Sequence, residues 1–310
     1  MKQRSRRAFL AALGSSVVGA AGCLSDGESL SVLAAGSLAV ALETLGEEFA
    51  TGRQTTVEGE YHGSTVVMQM IEDGTRHPDV TVSADVQMLR DRLYPEFASW
   101  DVVFAANELG LAYNPETELG SRLEGDEPWY EVLRSADEGA IAMSEPELDP
   151  LGYRAVQMLE LAEAYYGVEG LKREISERAY REPDEPRLLA GIETGDRAVA
   201  ISYRNMAVDH GLPFYELPDK LNFSDPGLAD YYRTVSYTTD DGYTARGSPM
   251  SYNATVLDGA DNPDRGEAFV SFLLDSPDRL ESLGLRVPGR LPRSHGTSPG
   301  SITSHVQGES

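Results

Sequence analysis

Beyond residue 29 the apolar positions switch repeatedly between short continuous runs and the three-to-four spacing of amphipathic helices. The run "SLSVLAA" predicts a strand, residues 38–50 an amphipathic helix and "TTVEGEY" a second strand. A helix over 64–73 and a third strand in "DVTVSAD" complete a βαβαβ unit. "DVVFAANELGLAYNP" then reads as one long extended segment, suited to crossing between lobes. "GAIAMSEP" predicts a buried strand, and residues 151–166 a helix with Met158, Leu161, Ala162 and Tyr165 on one face. A helix over 187–194, the apolar strand "RAVAISY" and a helix near 204–210 follow. "LPFYELPDKLNF" is a second extended return, "GSPMSYNATVL" a strand, and 263–283 two short helices.

Alternating strands and helices argue for an α/β fold with mainly parallel sheets. Two extended crossings around a middle block divide it into two lobes. Residues 30–106 plus 213–290 make the first and residues 107–212 the second. Residues 291–310, in a stretch rich in Gly, Pro, Ser and Arg from Val287 onward, read as an irregular tail.

Residues 1–23 change the picture of where the protein works. They carry Lys2, Arg4, Arg6 and Arg7, then a short apolar stretch, then small residues leading to Cys23. Arg6-Arg7 followed by Ala-Phe-Leu look like a twin-arginine export signal, and Ala20-Ala21-Gly22-Cys23 like a lipobox. Cys23, the only cysteine, is then the lipid-bearing first residue, and 24–29 a short tether. The expectation is an exported monomer anchored to the outer face of the cell membrane, without disulfides.

Charge narrows the partners. With 51 acidic against 26 basic residues the formal net charge is −25, and lysine occurs only at Lys2, Lys172 and Lys220. Such an acid-rich, lysine-poor surface suits a halophile. Nucleic acid is excluded as a partner, because no basic face exists to neutralise phosphates. In molar salt the Debye length falls to roughly 3 Å, so remote carboxylates hardly act on a bound anion.

Candidate chemistry sits at three predicted helix starts: Gly36-Ser37, Gly63-Ser64 and Asp149-Pro150-Leu151-Gly152. Helix-start N–H groups are unpaired and point along the axis, so converging starts can cradle a small oxyanion. All three fall at the carboxyl ends of strands, where open α/β sheets bind ligands. Read alone, Ser37 and Ser64 are equally ordinary N-caps, and Asp149-Pro150 a common helix-start pair.

The blocks "LSVLAAGSL", "YHGST", "HPDVTVSAD", "YPEFASWDVVFAANELGLAY", "ELDPLGYRAVQMLELAEAYY", "GIETGDRAVAISYRNMAVDHGL" and "LPDKLNFSD" resemble, in this order, the WtpA/ModA-type tungstate/molybdate-binding proteins of archaea. These are the substrate-binding components of ABC importers. The resemblance covers nearly all of 30–290 and implies a two-lobed type II periplasmic-binding-protein fold, with no cofactor. It implies an ABC permease and its ATPase as partners, and a tungstate or molybdate ligand. Carried over residue by residue, it implies oxyanion contacts from Gly36, Ser37, Ser64, Asp149, Pro150, Leu151, Glu185 and Tyr203. Asp149 and Glu185 would bond the molybdenum or tungsten itself. Leu151 stands where the family has cysteine, a tolerable change if a backbone N–H does the work. Glu185 keeps its type within "EPDEPRLLAGIETG" while its neighbours depart from the family's Arg-Pro-Lys-Glu, which leaves Asp184 and Glu182 as alternatives.

Two carboxylates beside a dianion repel it, unless an oxygen bonds a metal centre that accepts more donors. Sulfur in sulfate cannot, so the carboxylates also discriminate against sulfate. Arg154 and Arg204 read as structural ion-pair partners, and His62 as a surface residue. The rivals are a binding protein for sulfate or another oxyanion, and an exported hydrolase. Against the hydrolase stand the missing G-x-S-x-G and HExxH patterns.

Overall fold

The computed structural model describes residues 28–306. The leader, Cys23 and residues 24–27 of the tether lie outside the described residues. In chain order the strands are β1 (Glu28–Ala35), β2 (Thr55–His62), β3 (Val80–Ser83), β4 (Trp100–Ala106), β5 (Leu109–Tyr113), β6 (Ile141–Ser144), β7 (Tyr180–Glu182), β8 (Val199–Tyr203), β9 (Phe214–Glu216), β10 (Ser236–Thr238), β11 (Thr244–Arg246), β12 (Ser251–Val256) and β13 (Arg293–Gly296).

They form two sheets and a hairpin. The first sheet has the order β13-β4-β12-β3-β1-β2, the second β7-β6-β8-β5-β9, and β10 pairs with β11. In the first, β2, β1 and β3 are parallel, while β12 runs antiparallel between β3 and β4 and β13 runs antiparallel to β4. In the second, β7, β6 and β8 are parallel and β5 is antiparallel to both β8 and β9. Parallel strands buried on both faces read as unbroken apolar runs. That is why β1, β6 and β8 were legible: Leu30, Val32, Leu33, Ala34 and Ala35, then Ile141 to Met143, then Val199 to Ile201 are all buried.

The "DVVFAANELGLAYNP" segment is two strands in different sheets, β4 and β5, with Asn107 and Glu108 between them. These two residues are the first crossing. Glu108 is buried and held by Arg204 (2.9 Å) and Arg286 (3.3 Å), so the crossing is anchored by charge from both sides. The second crossing comes later than Pro213, because β9 first adds itself to β5 at the edge of the second sheet. A helix at Asp219–Asn222 then packs on the helix Pro150–Tyr166 before the chain returns.

Three other expectations change. The tail 291–310 is not irregular throughout: β13 pairs with Trp100 to Val103 of β4, and the helix Gly300–Thr303 buries Ile302. "RSHG" has no apolar alternation because an edge strand is held by its backbone ladder. Tyr165 is 44% exposed, while Leu159 joins Met158, Leu161 and Ala162 inside. The predicted helix 187–194 is broken into a 3-10 turn at Glu185–Arg187 and a short helix at Ala190–Glu193. Leu188, Leu189 and Ile192 are buried whichever way the backbone runs, so periodicity alone could not separate the two.

Candidate anion-binding site

Asp149 opens the helix Pro150–Tyr166 in a conventional way. It is extended (φ −154°, ψ 158°), Pro150 takes the first turn where no N–H is needed, and Gly167 ends the helix at φ 66°. Its Oδ1 accepts from the Gly152 N–H at 3.0 Å and its Oδ2 from the Ser144 hydroxyl. The Leu151 and Gly152 N–H groups therefore serve the Asp149 carboxylate. The cap bond is made by Gly152, and the Leu151 N–H beside it faces the same carboxylate. Asp149 is fully buried, and burial raises its pKa while the Ser144 hydroxyl and these N–H groups hold it down.

Ser37 and Ser64 are not caps. Neither hydroxyl makes a capping bond to its own helix, Ala39–Ala50 or Ser64–Glu72. Ser64 Oγ instead accepts from the Ala84 N–H at 2.9 Å, and Ser37 Oγ from the Tyr252 hydroxyl at 3.3 Å. Both serines are buried. The ordinary-cap reading of these two positions is excluded by their partners.

Glu185 is the anomaly. It is 1% exposed, and neither carboxylate oxygen makes a hydrogen bond of good geometry among the described residues. Burial pushes its pKa well above the ordinary value, and the Asp149 charge adds to this. The Gly36 and Ser37 N–H groups and the Ser37 hydroxyl face it and offset part of the rise. Glu185 Oε2 and Pro186 pack so closely on Gly36 that a Cβ there would meet them at 2.9 and 2.7 Å. The neighbouring acids are engaged elsewhere: Asp184 pairs with Arg187 at 3.0 Å and is 40% exposed at its side chain, and Glu182 accepts from the Asp184 N–H at 3.1 Å.

Tyr203, fully buried at the end of β8, accepts from Arg154 Nη1 at 2.9 Å. Arg154 is itself buried and bridges the lobes, donating to the Ala84 carbonyl at 2.9 Å and lying 3.5 Å from Asp85. Asp85 also accepts from the Tyr153 hydroxyl at 2.6 Å while capping the helix Val86–Leu93. As the residues alone implied, Arg154 and Arg204 act through ion pairs. Removing one partner of a buried pair leaves the other charge uncompensated. Arg154→Met is expected to destabilise the protein by about 3 kcal/mol, read as a lower urea midpoint. An unchanged midpoint would show that Asp85 needs no counter-charge.

The predicted residues thus meet in the contact plane between the lobes. Gly36, Ser37 and Ser64 come from the first sheet's side, and Asp149, Glu185 and Tyr203 from the second's. The lobes touch there: the Val66 N–H reaches the Leu148 carbonyl at 3.4 Å, and Gly63 lies directly on Leu148 and Asp149. Pro150 and Leu151 are buried beside Asp149. His62 lies outside the plane, bonded to Glu60 at 3.0 Å. A surface cavity of about 850 Å³ beside the crossings is lined by Arg204, Val208, Asp225 and Arg286, among others, and by none of the predicted contacts. Sequence reasoning missed Asn107, Asn205 and Tyr252, all buried and bonded to Ser37 or to each other. The signal was polar residues inside the buried runs "FAANEL", "SYRNMAV" and "SYNATV".

Two α/β lobes joined by two crossings, with buried hydroxyls and carboxylates in the plane where they meet, define a two-lobed ligand-binding protein. The chain belongs to the bacterial extracellular solute-binding protein family, whose model matches residues 30–279. It is 43% identical to an uncharacterized solute-binding protein of Halobacterium salinarum, over 96% of this chain and 97% of that one. It is 39% identical to a protein of Haloferax volcanii named as a candidate molybdenum-binding protein of an ABC transporter, over 95% and 96%. The molybdate/tungstate-binding protein WtpA of Thermococcus kodakarensis is 29% identical over 82% and 83%. Among solved structures, the periplasmic molybdate-binding protein of Azotobacter vinelandii shares the fold with a TM-score of 0.63 at 18% identity, over 84% and 99%.

Proposed function

We propose that this protein captures tungstate or molybdate outside the cell and delivers it to an ABC permease and its ATPase. The observation that carries this reading is Glu185, a fully buried carboxylate without a good hydrogen bond, facing the Asp149 carboxylate in the plane between the lobes. Protein interiors do not keep such a group unless something satisfies it. A tetrahedral anion of sulfur gives a carboxylate nothing but repulsion. Molybdenum(VI) or tungsten(VI) accepts its oxygen as a further ligand, as hard centres prefer. The hydroxyls of Ser37, Ser64 and Tyr203 then hold the oxo groups. The names borne by the Haloferax and Thermococcus relatives support the same ligand.

A free cation suits the site less well. Among the described residues no group of three or more His, Cys, Asp or Glu side chains is arranged to hold a metal ion. No helix among the described residues is long and apolar enough to cross a membrane. Attachment rests on the leader: the twin arginines Arg6-Arg7 direct export, and lipidated Cys23 tethers a monomer to the outer face of the cell membrane. The −25 charge with its lack of lysine, together with relatives from Halobacterium and Haloferax, supports a halophilic setting.

Calorimetric titration in molar salt tests the ligand. Tungstate and molybdate are expected to bind, with sulfate unable to compete at equal concentration. Comparable sulfate and tungstate affinities would overturn the proposal in favour of a general oxyanion receptor. X-ray absorption of the loaded protein reports the element and its coordination number; a four-coordinate metal would remove the carboxylates from the site.

A further inference from the structure

The anion reading leaves a buried polar network around Ser37 unexplained. Asn107 lies at the crossing between β4 and β5. Its Oδ1 accepts from the Glu108 N–H at 2.9 Å, and a backbone N–H can only donate, so the amide orientation is settled. Its Nδ2 therefore donates twice, to Asn205 Oδ1 at 2.7 Å and to the Tyr252 hydroxyl at 3.1 Å. Asn205 Nδ2 passes on to the Ser37 carbonyl at 2.5 Å, again an end that admits one direction only. Tyr252, with its oxygen engaged by Asn107, donates its own proton to Ser37 Oγ. Both arms that leave Asn107 end on Ser37.

We propose that Asn107 and Tyr252 are positioning residues for the anion site: from the crossing between the lobes they set the direction in which the Ser37 hydroxyl donates. The inference rests on the reading of Ser37 as an anion contact. Because Ser37 Oγ accepts from behind, its proton is left to point forward, toward Glu185 and the plane where the anion is held. The other two hydroxyls follow the same rule. Ser64 accepts from the Ala84 N–H and Tyr203 from Arg154. Each hydroxyl thus has one lone pair engaged and its proton biased toward donating before a ligand arrives, which lowers the ordering cost of binding. The Asn205 arm adds a condition. Asn205 lies in the first turn of the helix Arg204–Asp209 of the second lobe, so its bond to the Ser37 carbonyl exists only while the lobes are together.

A double-mutant cycle separates this role from a merely structural one. Tungstate is titrated by calorimetry into the wild type, Tyr252→Phe, Ser37→Ala and the double variant, each with its near-ultraviolet dichroism checked. Tyr252→Phe is expected to weaken binding about fivefold in the wild-type background and by less than about twofold when Ser37 is already alanine. Equal losses in both backgrounds, or no loss in either, would overturn the relay. If Tyr252→Phe does not fold, Asn107→Ala is measured in the same cycle with the same expectation. Sulfate titrations of the wild type keep the two ideas apart. If sulfate binds as tightly as tungstate, the ligand assignment fails, and the cycle is read with sulfate, since the relay concerns Ser37 and any tetrahedral anion it serves.

Discussion

Glu185→Gln is expected to weaken tungstate binding at least a hundredfold, about 3 kcal/mol, while making the protein more resistant to heat in buffer without oxyanion. The two effects have one origin. Glu185 is buried beside Asp149 with no good hydrogen bond of its own, so its charge is unfavourable until a metal centre takes it up. Glutamine keeps the shape and loses both the repulsion and the donor strength. The pH dependence follows from the raised pKa. A carboxyl whose pKa is raised on folding contributes stability that is fully present below its unfolded value, near 4.5 for glutamate, and lost as pH climbs through the folded value. Glutamine does not titrate. The melting temperature of Glu185→Gln should therefore exceed that of the wild type clearly at pH 8, and the gap should close toward pH 4. Thermal melts at the two pH values, with calorimetry beside them, check both halves. A variant that binds tungstate normally would make Glu185 a bystander. One that loses binding without gaining stability would mean that other groups already satisfy its charge.

This behaviour was only partly legible in the residues. Ser37, Ser64 and Asp149 could be found because each follows a predicted strand and precedes a helical pattern, which places them at the carboxyl ends of β1, β2 and β6. Glu185 could not be found that way. It lies in a 3-10 turn with no periodicity, and only the family resemblance pointed to it; burial then separated it from Asp184 and Glu182. A helix start offers N–H groups to whatever lies in front, and here that is the side chain of Asp149 itself. For Asn107, Asn205 and Tyr252 the local pattern shows polar groups within apolar runs but not their hydrogen-bond partners, which lie far apart in sequence. β13 stayed hidden because its pairing with β4 is made by backbone alone.

Gly63→Ala tests the other half of the mechanism, the meeting of the lobes. Gly63 has φ −54° and ψ 139°, a conformation that alanine adopts without strain, so the substitution should leave the first lobe's own fold and stability unchanged. The added Cβ would lie 2.3 Å from both Asp149 Cβ and the Leu148 carbonyl oxygen, and both belong to the opposite lobe. Packed atoms do not approach so closely, and two of the atoms in conflict are main chain or Cβ, which no rotamer change can move. The contact plane can then close only if the lobes stand further apart, and a separation of about 1 Å already spoils the hydrogen bonds and metal contacts of a site divided between them. Tungstate affinity is expected to fall at least a hundredfold, with a near-native melting temperature and no shrinkage in small-angle scattering when tungstate is added. Gly36→Ala should also lose affinity, by displacing Glu185 rather than by parting the lobes, because its Cβ meets the fixed Pro186 ring at 2.7 Å and Glu185 Oε2 at 2.9 Å. Gly259→Ala, whose Cβ meets nothing within 4 Å, should bind as the wild type does. If Gly63→Ala bound tungstate normally, the anion would have to be held by one lobe alone, and the carboxylates of the second would lose their part in choosing it.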